Sequence, residues 1–348
     1  MKIYMAPMEG LTGYIYRNAY QKFFHNVDRY FTPFIASKKL NSREKNDILP
    51  EHNQGMDVVP QILANRADEF LAIAAKIAEY GYPVVNLNLG CPSGTVTARK
   101  RGAGFLGEPE ELERFLDEIF EKCPLKISIK TRIGKDEPEE WERILALYEK
   151  YPLEELIIHP RIQKDFYQGK PRLEAFVCAQ ENSRHSLCYN GDIETADDYR
   201  AFCEHFPQVD KIMVGRGILK NPMLIGEIQK LEQTSEQAQT QMPEQTAEQA
   251  QKQTKRQMPE WTPEQREEIL FAFHEEICQG YQAVMSGDKN TLYKMKELWF
   301  YLGQNFTEPQ KYLKKIKKAQ RLTEYEAAVR ELFRNCSYEP GQHGELLL

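Results

Sequence analysis

The chain has 348 residues, 41% of them hydrophobic, enough for one large domain and a small second one, or for two of medium size. Its formal charge of −6 argues against a polyanionic partner for the chain as a whole, although a local basic face can hide within an acidic average. Seven cysteines, at 91, 123, 178, 188, 203, 278 and 336, are odd in number, scattered and without a Cys-x-x-Cys pair. With no signal-like leader before Met5-Ala6-Pro7, they predict reduced thiols in a cytoplasmic protein. The apolar runs are strand-sized, far below the roughly 20 residues that cross a bilayer, so no membrane association is expected.

In chain order, eight β-rich runs alternate with amphipathic helical stretches: Ile3 to Ala6, Tyr30 to Ile35, Val58 to Leu63, Val84 to Leu89, Leu125 to Thr131, Leu156 to His159, Ser186 to Asn190 and Lys211 to Gly215. Several are nearly continuous in Val, Ile and Leu, as strands covered on both faces are. Between them, Phe70, Ala74, Ile77 and Ala78 recur at helical spacing. So do Leu112, Phe115, Leu116, Ile119 and Phe120 after Pro109, a first-turn residue. Eight strand and helix pairs predict an α/β fold, a parallel (β/α)8 TIM barrel over residues 1–231; an open doubly wound sheet uses the same βαβ units.

Residues 232–261 then become rich in Gln, Glu and Thr. Glu236-Gln237-Ala238-Gln239 returns as Glu248-Gln249-Ala250-Gln251, and Gln241-Met242-Pro243-Glu244 as Gln257-Met258-Pro259-Glu260. This composition predicts a flexible linker, with a transient helix as the alternative. Residues 262–340 predict a small all-α bundle. Thr262-Pro263-Glu264-Gln265 forms a capping-box start, Ile269, Phe273, Ile277 and Tyr281 a stripe, Leu298, Tyr301 and Leu302 a second helix, and Leu322 to Phe333 a last one. His274-Glu275 has Cys278 where a metalloprotease helix needs its second histidine, so no metal is predicted.

In a parallel barrel the reactive groups sit where strands end. The ends here carry Pro7-Met8-Glu9-Gly10, Gln61, Asn86 to Pro92, Lys130-Thr131-Arg132, His159-Pro160-Arg161, Asn190-Gly191-Asp192 and Gly215-Arg216-Gly217. Each alone has an ordinary structural explanation, but their joint placement favours a site. A lysine closing the run Ile-Ser-Ile-Lys is costly to bury unless an anion meets it. The glycines after strands seven and eight fall where many barrels hold phosphate.

Ala6-Pro7-Met8-x-Gly10-x-Thr12 with Arg17, Asn88-Leu89-Gly90-Cys91-Pro92, Lys130-Thr131-Arg132, His159-x-Arg161, Asn190-Gly191-Asp192 and Val214-Gly215-Arg216-Gly217 resemble the tRNA-dihydrouridine synthase family over residues 3 to about 226. That resemblance implies FMN on the barrel rim. Pro7, Met8 and Gln61 would line the flavin ring and Lys130 its pyrimidine side, while His159, Asn190, Gly191, Asp192, Gly215 and Arg216 would hold the phosphate end. It also implies NADPH (or NADH) as reductant, Asn88 and Arg132 orienting the uracil, and Cys91 protonating carbon 5 of a tRNA uridine. A thiol of ordinary pKa, about 8.5, is protonated at neutral pH and can serve as that acid. Gly13, Asn86 and Ile162 depart from the family's usual letters.

Residues 289 to 321 hold nine Lys or Arg against two Glu. Lys311, Lys314, Lys315 and Lys318 share one helix face by spacing, and with Arg99, Lys100 and Arg101 they predict a tRNA-binding track that reads shape. No obligate protein partner is evident, and a monomer is the default expectation. The competing readings are a barrel flavin reductase acting on a small molecule and an RNA-binding protein without catalysis.

Overall fold

A computed structural model of the chain describes residues 1–240 and 261–341. The strands are β1 (Lys2–Met5), β2 (Arg29–Phe31), β3 (Val58–Val59), β4 (Gln61–Ile62), β5 (Val84–Leu89), β6 (Lys126–Gly134), β7 (Leu156–Ile162), β8 (Leu187–Tyr189) and β9 (Lys211–Val214). The helices are α1 (Tyr14–Phe23), α2 (Ser42–Ile48), α3 (Ala67–Glu79), α4 (Gly94–Thr97), α5 (Pro109–Lys122), α6 (Glu140–Tyr148), α7 (Leu173–Asn182), α8 (Ala196–His205) and α9 (Arg216–Lys220). They continue with α10 (Leu224–Thr240), α11 (Pro263–Val284), α12 (Asp288–Leu302), α13 (Gln310–Lys318) and α14 (Leu322–Asn335).

The strands are all parallel, in the order β3-β2-β1-β9-β8-β7-β6-β5-β4. β3 and β4 are halves of one barrel strand parted at Pro60, which has no N–H to give to a ladder. Ile35 bridges Ile62 in parallel, and its N–H donates to the Gln61 carbonyl at 2.8 Å. The two ends of the sheet therefore meet, and eight strands close into a barrel, as the alternation of strand and helix predicts.

Register assigns the faces. Gln61 pairs Asn86, Asn86 pairs Ser128, Asn88 pairs Lys130, Lys130 pairs Ile157, Ile157 pairs Cys188 and Arg132 pairs His159. Side chains alternate along a strand, so these residues share the inner face with Tyr4, Phe31, Val59, Val84 and Met213, which with Ile157 and Cys188 form one buried cluster. The intervening residues, such as Val85, Leu87, Ile127, Ile129, Ile158 and Ile212, are also buried. Covering on both faces explains why these strands read as apolar runs. β6 and β7 run past Arg132 and Arg161, beyond the ends expected at Thr131 and His159, because both guanidinium groups find partners that allow the strand to continue.

The chain divides into two compact units that interleave along the sequence. One contains Met1–Tyr14, Asp28–Asp192 and Phe206–Gly215; the other contains Ile15–Val27, Ile193–His205 and Arg216 onward. A single cut at residue 231, as read from composition, does not describe this division. Aromatic packing accounts for part of it: Tyr16, Tyr20 and Phe24 have ring centroids 5.5, 6.2 and 5.2 Å from Phe273 of α11. Helix α10 carries residues 232–240, placed in the linker by composition; their Glu, Gln and Ala favour helix. The rest of that segment, 241–260, lies outside the described residues.

Helix α11 starts with the predicted capping box. The Gln265 N–H donates to Thr262 Oγ1 at 3.3 Å, and the Thr262 N–H to Gln265 Oε1 at 2.9 Å. In α13, Leu313 and Ile316 are buried while Lys311, Lys314, Lys315, Lys317 and Lys318 are exposed.

Candidate active site

Polar residues mark the inner face toward the carboxyl ends of the strands, and those of β4, β5 and β6 at 61, 86, 88 and 128 form one connected network. Asn86 Nδ2 donates to Ser128 Oγ at 2.9 Å, Gln61 Nε2 donates to Asn86 Oδ1 at 2.8 Å, and Asn88 Nδ2 donates to Gln61 Oε1 at 2.7 Å. Asn88 Oδ1 then accepts the backbone N–H groups of Gly90 (3.1 Å) and Cys91 (2.9 Å). Three buried amides thus run in relay from the wall of the barrel to the turn that carries Cys91. Each fixes the next one's orientation, because an amide that donates at its nitrogen and accepts at its oxygen cannot flip without losing both bonds.

Arg132 holds the same turn from the other side. Its guanidinium is fully buried and donates to the carbonyls of Gly90 (3.0 Å), Ile162 (2.8 Å) and Phe166 (2.5 Å). Asn88 and Arg132, which the resemblance assigns to uracil, therefore also clamp the Cys91 turn. Gly102, a residue without a role in the sequence motifs, packs directly against it. A Cβ there would lie 2.8 Å from the Cys91 carbonyl oxygen and 3.0 Å from Cys91 Cβ, and its φ of +56° is one that L side chains rarely adopt. Cys91 itself is half-buried. Burial pushes its thiol pKa up, while the Ser93 backbone and the Arg132 and Lys130 cations pull it partly back.

Lys130 projects from β6 beside Asn88 in register. Its ammonium makes no hydrogen bond or ion pair among the described residues. Desolvation, and then repulsion from Arg132, lower its pKa to about 8. An unpartnered cation here suits an anionic or electron-rich ligand.

At the next strand end, Arg161 is fully buried and makes a two-pronged ion pair with Asp192, at 2.7 and 2.5 Å. Its Nη1 also donates to His159 Nε2 at 3.0 Å. Guanidinium can only donate, so His159 carries its proton on Nδ1 when neutral. The remaining Arg161 donors reach the carbonyls of Gln168 (3.2 Å) and Gly169. Asn190 Nδ2 donates to the Met213 carbonyl at 2.8 Å. A Cβ on Gly191 would overlap the Tyr189 hydroxyl at 2.0 Å, and one on Gly215 would come within 3.3 Å of Ala6 Cβ and 3.5 Å of Met8 Sδ. After Pro7, the Met8 N–H donates to Thr12 Oγ1 at 2.8 Å, which fixes the turn following β1.

The barrel thus brings Met8, Gln61, Asn88, Cys91, Lys130, Arg132, His159, Asn190, Asp192 and Gly215 to one end. Arg216 opens α9 in the second unit, where its Nε lies 3.5 Å from Glu194. Of the basic residues after Cys91, Lys100 pairs with Glu108 (3.0 Å) and Arg101 with Glu69 (2.5 Å), while Arg99 is exposed. In the second unit Lys315 pairs with Glu331, and Lys314 and Lys318 make no ion pair among the described residues. Arg161, Ser128 and Asn86 carry no assigned role in the sequence motifs, yet their period-two spacing from His159, Lys130 and Asn88 puts them on the inner face.

A parallel eight-stranded barrel with a thiol, an unpartnered ammonium and a carboxamide relay at its carboxyl end has the architecture of an α/β-barrel enzyme. The chain belongs to the dihydrouridine synthase (Dus) family, whose model matches residues 4–297. It is similar to the tRNA-dihydrouridine(16) synthase of Pseudomonas putida, at 31% identity over 64% of this chain and 72% of that protein. It is also similar to tRNA-dihydrouridine synthase B of Pasteurella multocida, at 25% identity over 66% and 69% of the two chains. Among solved structures, morphinone reductase aligns over 66% of this chain and 85% of its own with a TM-score of 0.47 and 12% identity. No helix among the described residues is long and apolar enough to cross a membrane.

Proposed function

We propose that the protein is an FMN-dependent tRNA-dihydrouridine synthase that uses NADPH or NADH and acts in the cytoplasm. Its Dus-family membership and the names of its relatives support the reaction class. The observation that carries the reading is a half-buried, protonated thiol on a turn clamped by Asn88 and Arg132, within electrostatic range of an unpartnered Lys130 ammonium.

The residues present fit a flavin mononucleotide. Lys130 lacks the anion its surroundings call for, Gly215 leaves bare backbone beside Met8, and the Gln61 amide faces inward from β4. FMN, when bound, supplies the hydride for carbon 6 of the uridine. Lys130 would stabilise negative charge on the reduced ring, with Pro7, Met8 and Gln61 along it. His159, Asn190, Gly191, Asp192, Gly215 and Arg216 would take the phosphate end, with Arg161 fixing His159 and Asp192 from behind. The Cys91 thiol delivers its proton to carbon 5. Its raised pKa keeps that proton available at neutral pH, and the amide relay keeps the sulfur-bearing turn still. Asn88 and Arg132 would orient the uracil with whatever donor capacity the clamp leaves. A stacked uridine must leave its stack to reach this rim, and the exposed lysines of α13 would supply binding energy from phosphates.

The test is anaerobic: the purified yellow protein is reduced with NADPH, then mixed with unmodified tRNA. Reoxidation with dihydrouridine formed is the expected result. Cys91→Ala should retain flavin and accept electrons, yet reduce tRNA about 100- to 10,000-fold more slowly, the usual worth of a general acid. Turnover of tRNA by that variant at the native rate would remove Cys91 from the reaction. A reduced flavin indifferent to tRNA but reoxidised by a small pyrimidine would favour the small-molecule reductase.

A further inference from the structure

Phe166 combines two features that do not explain one another. Its backbone lies at φ 51°, ψ −101°, a conformation that glycine enters freely and bulky residues avoid. Its side chain is 47% exposed, so burial offsets only part of that strain.

The backbone conformation itself has a clear cause. The Phe166 carbonyl accepts the Arg132 guanidinium at 2.5 Å, its N–H donates to the Gln163 carbonyl at 3.1 Å, and Arg161 holds the carbonyls of Gln168 and Gly169 just beyond. All of those are main-chain bonds that a glycine would make equally well. The phenyl group makes none of the clamp's hydrogen bonds, and about half of its apolar surface is left facing solvent.

Its neighbours indicate what that face meets. Tyr167 is 46% exposed, with its ring 5.3 Å from the Arg132 guanidinium and 6.3 Å from the His159 ring, which ties it to the barrel rim. Lys170, three residues further on, is exposed and makes no hydrogen bond or ion pair among the described residues. An exposed ring and an unpaired cation four residues apart on one loop are the residue types that hold unstacked nucleic acid, the ring taking a base face and the lysine a phosphate. Arg132 also binds the Gly90 carbonyl, so one guanidinium links the Phe166 loop to the Cys91 turn.

We propose that Phe166 is an RNA-stacking residue, a platform for an unpaired base of the tRNA next to the uridine presented to the Cys91 turn. The inference rests on the tRNA-reductase reading and deepens it.

The experiment measures, for the flavin-loaded native protein and the variants F166G and F166W, the melting temperature and the affinity for unmodified tRNA over a range of salt concentrations. Loss of one base–aromatic stack weakens binding about 5- to 150-fold. F166G should show that loss while melting no lower than the native protein, since glycine suits the backbone. Its slope of log affinity against log salt should match the native slope, because no phosphate-binding cation is removed. F166W should restore affinity to within about threefold of native, an order-of-magnitude expectation for one stack replaced by another. Native affinity in F166G would overturn the proposal, as would a drop in its melting temperature, which would mean that the phenyl packs. A native protein that neither binds nor reduces tRNA would sink the enzymatic reading itself, whereas native turnover with an unaffected F166G would sink only the stacking role.

Discussion

Replacing Lys130 by Met should stabilise the flavin-free protein and weaken its hold on flavin. Three cationic side chains, Lys130, Arg132 and Arg161, occupy the inner face at one end of the barrel. The two guanidinium groups are satisfied by carbonyls and Asp192, but the ammonium is not. Its pKa falls from 10.5 to about 8 through desolvation and then repulsion from Arg132. At about 1.4 kcal/mol per tenfold change in proton affinity, that drop is on the order of 3 kcal/mol of folding free energy lost at neutral pH. The sign follows from proton counts: between pH 8 and 10.5 the unfolded chain holds the proton and the folded chain does not, so stability from this group rises with pH across that window. Urea unfolding of stripped protein should show Lys130→Met more stable than native at pH 7, with the gap closing toward pH 10. In the flavin-loaded proteins the order should invert. A stripped Lys130→Met protein less stable than native at pH 7 would refute the reasoning, because it would mean the ammonium already has a partner.

Replacing Lys311, Lys314, Lys315 and Lys318 together by Ala should weaken tRNA binding and flatten its salt dependence by roughly 0.7–0.9 log units for each phosphate that no longer meets a lysine; an unchanged slope would move the RNA surface off this helix. Flavin content should be native, as measured by absorbance. Gly102→Ala should lower tRNA turnover about 10- to 100-fold, because a methyl 2.8 Å from the Cys91 carbonyl oxygen must displace the sulfur-bearing turn, and misplacement by up to about 1 Å has effects of that order. Turnover at the native rate would show that the Cys91 turn tolerates the shift.

The barrel was legible because each strand is covered on both faces and each crossover helix has one apolar stripe, so two periods in the hydrophobic pattern carry most of the topology. Much of the site was legible for the same reason: Gln61, Asn88, Lys130, His159 and Asn190 interrupt apolar runs at positions of one parity. What the guanidinium groups of Arg132 and Arg161 hold was not legible. Besides Asp192 and His159 for Arg161, their partners are carbonyls at 90, 162, 166, 168 and 169, and a carbonyl is present at every residue, so only the loop's conformation selects these five. Gly102 was hidden because its neighbour Cys91 is eleven positions away across a turn, helix α4 and a second turn. The grouping of α1 and α8 with the C-terminal helices was hidden too. Periodicity marks Tyr16, Tyr20 and Phe24 as an apolar face without saying that Phe273 fills it.

Lys130 and Cys91 are coupled, and the coupling has a direction. The ammonium lowers the thiol pKa, as Arg132 does, against the stronger upward effect of burial. An anionic ligand at Lys130 would neutralise that pull and exclude more water, so both changes raise the thiol pKa. Filling the site would therefore reinforce the protonated form of Cys91, with Arg132, already the larger of the two cationic pulls, still opposing it. Arg132 is fixed to three carbonyls and cannot move away, which limits how far the thiol can rise. If Cys91 is the proton donor proposed above, the donors that hold its turn, from Asn88 and Arg132, are already in place in the folded chain, so no reorganisation of that turn would be needed at the moment of transfer.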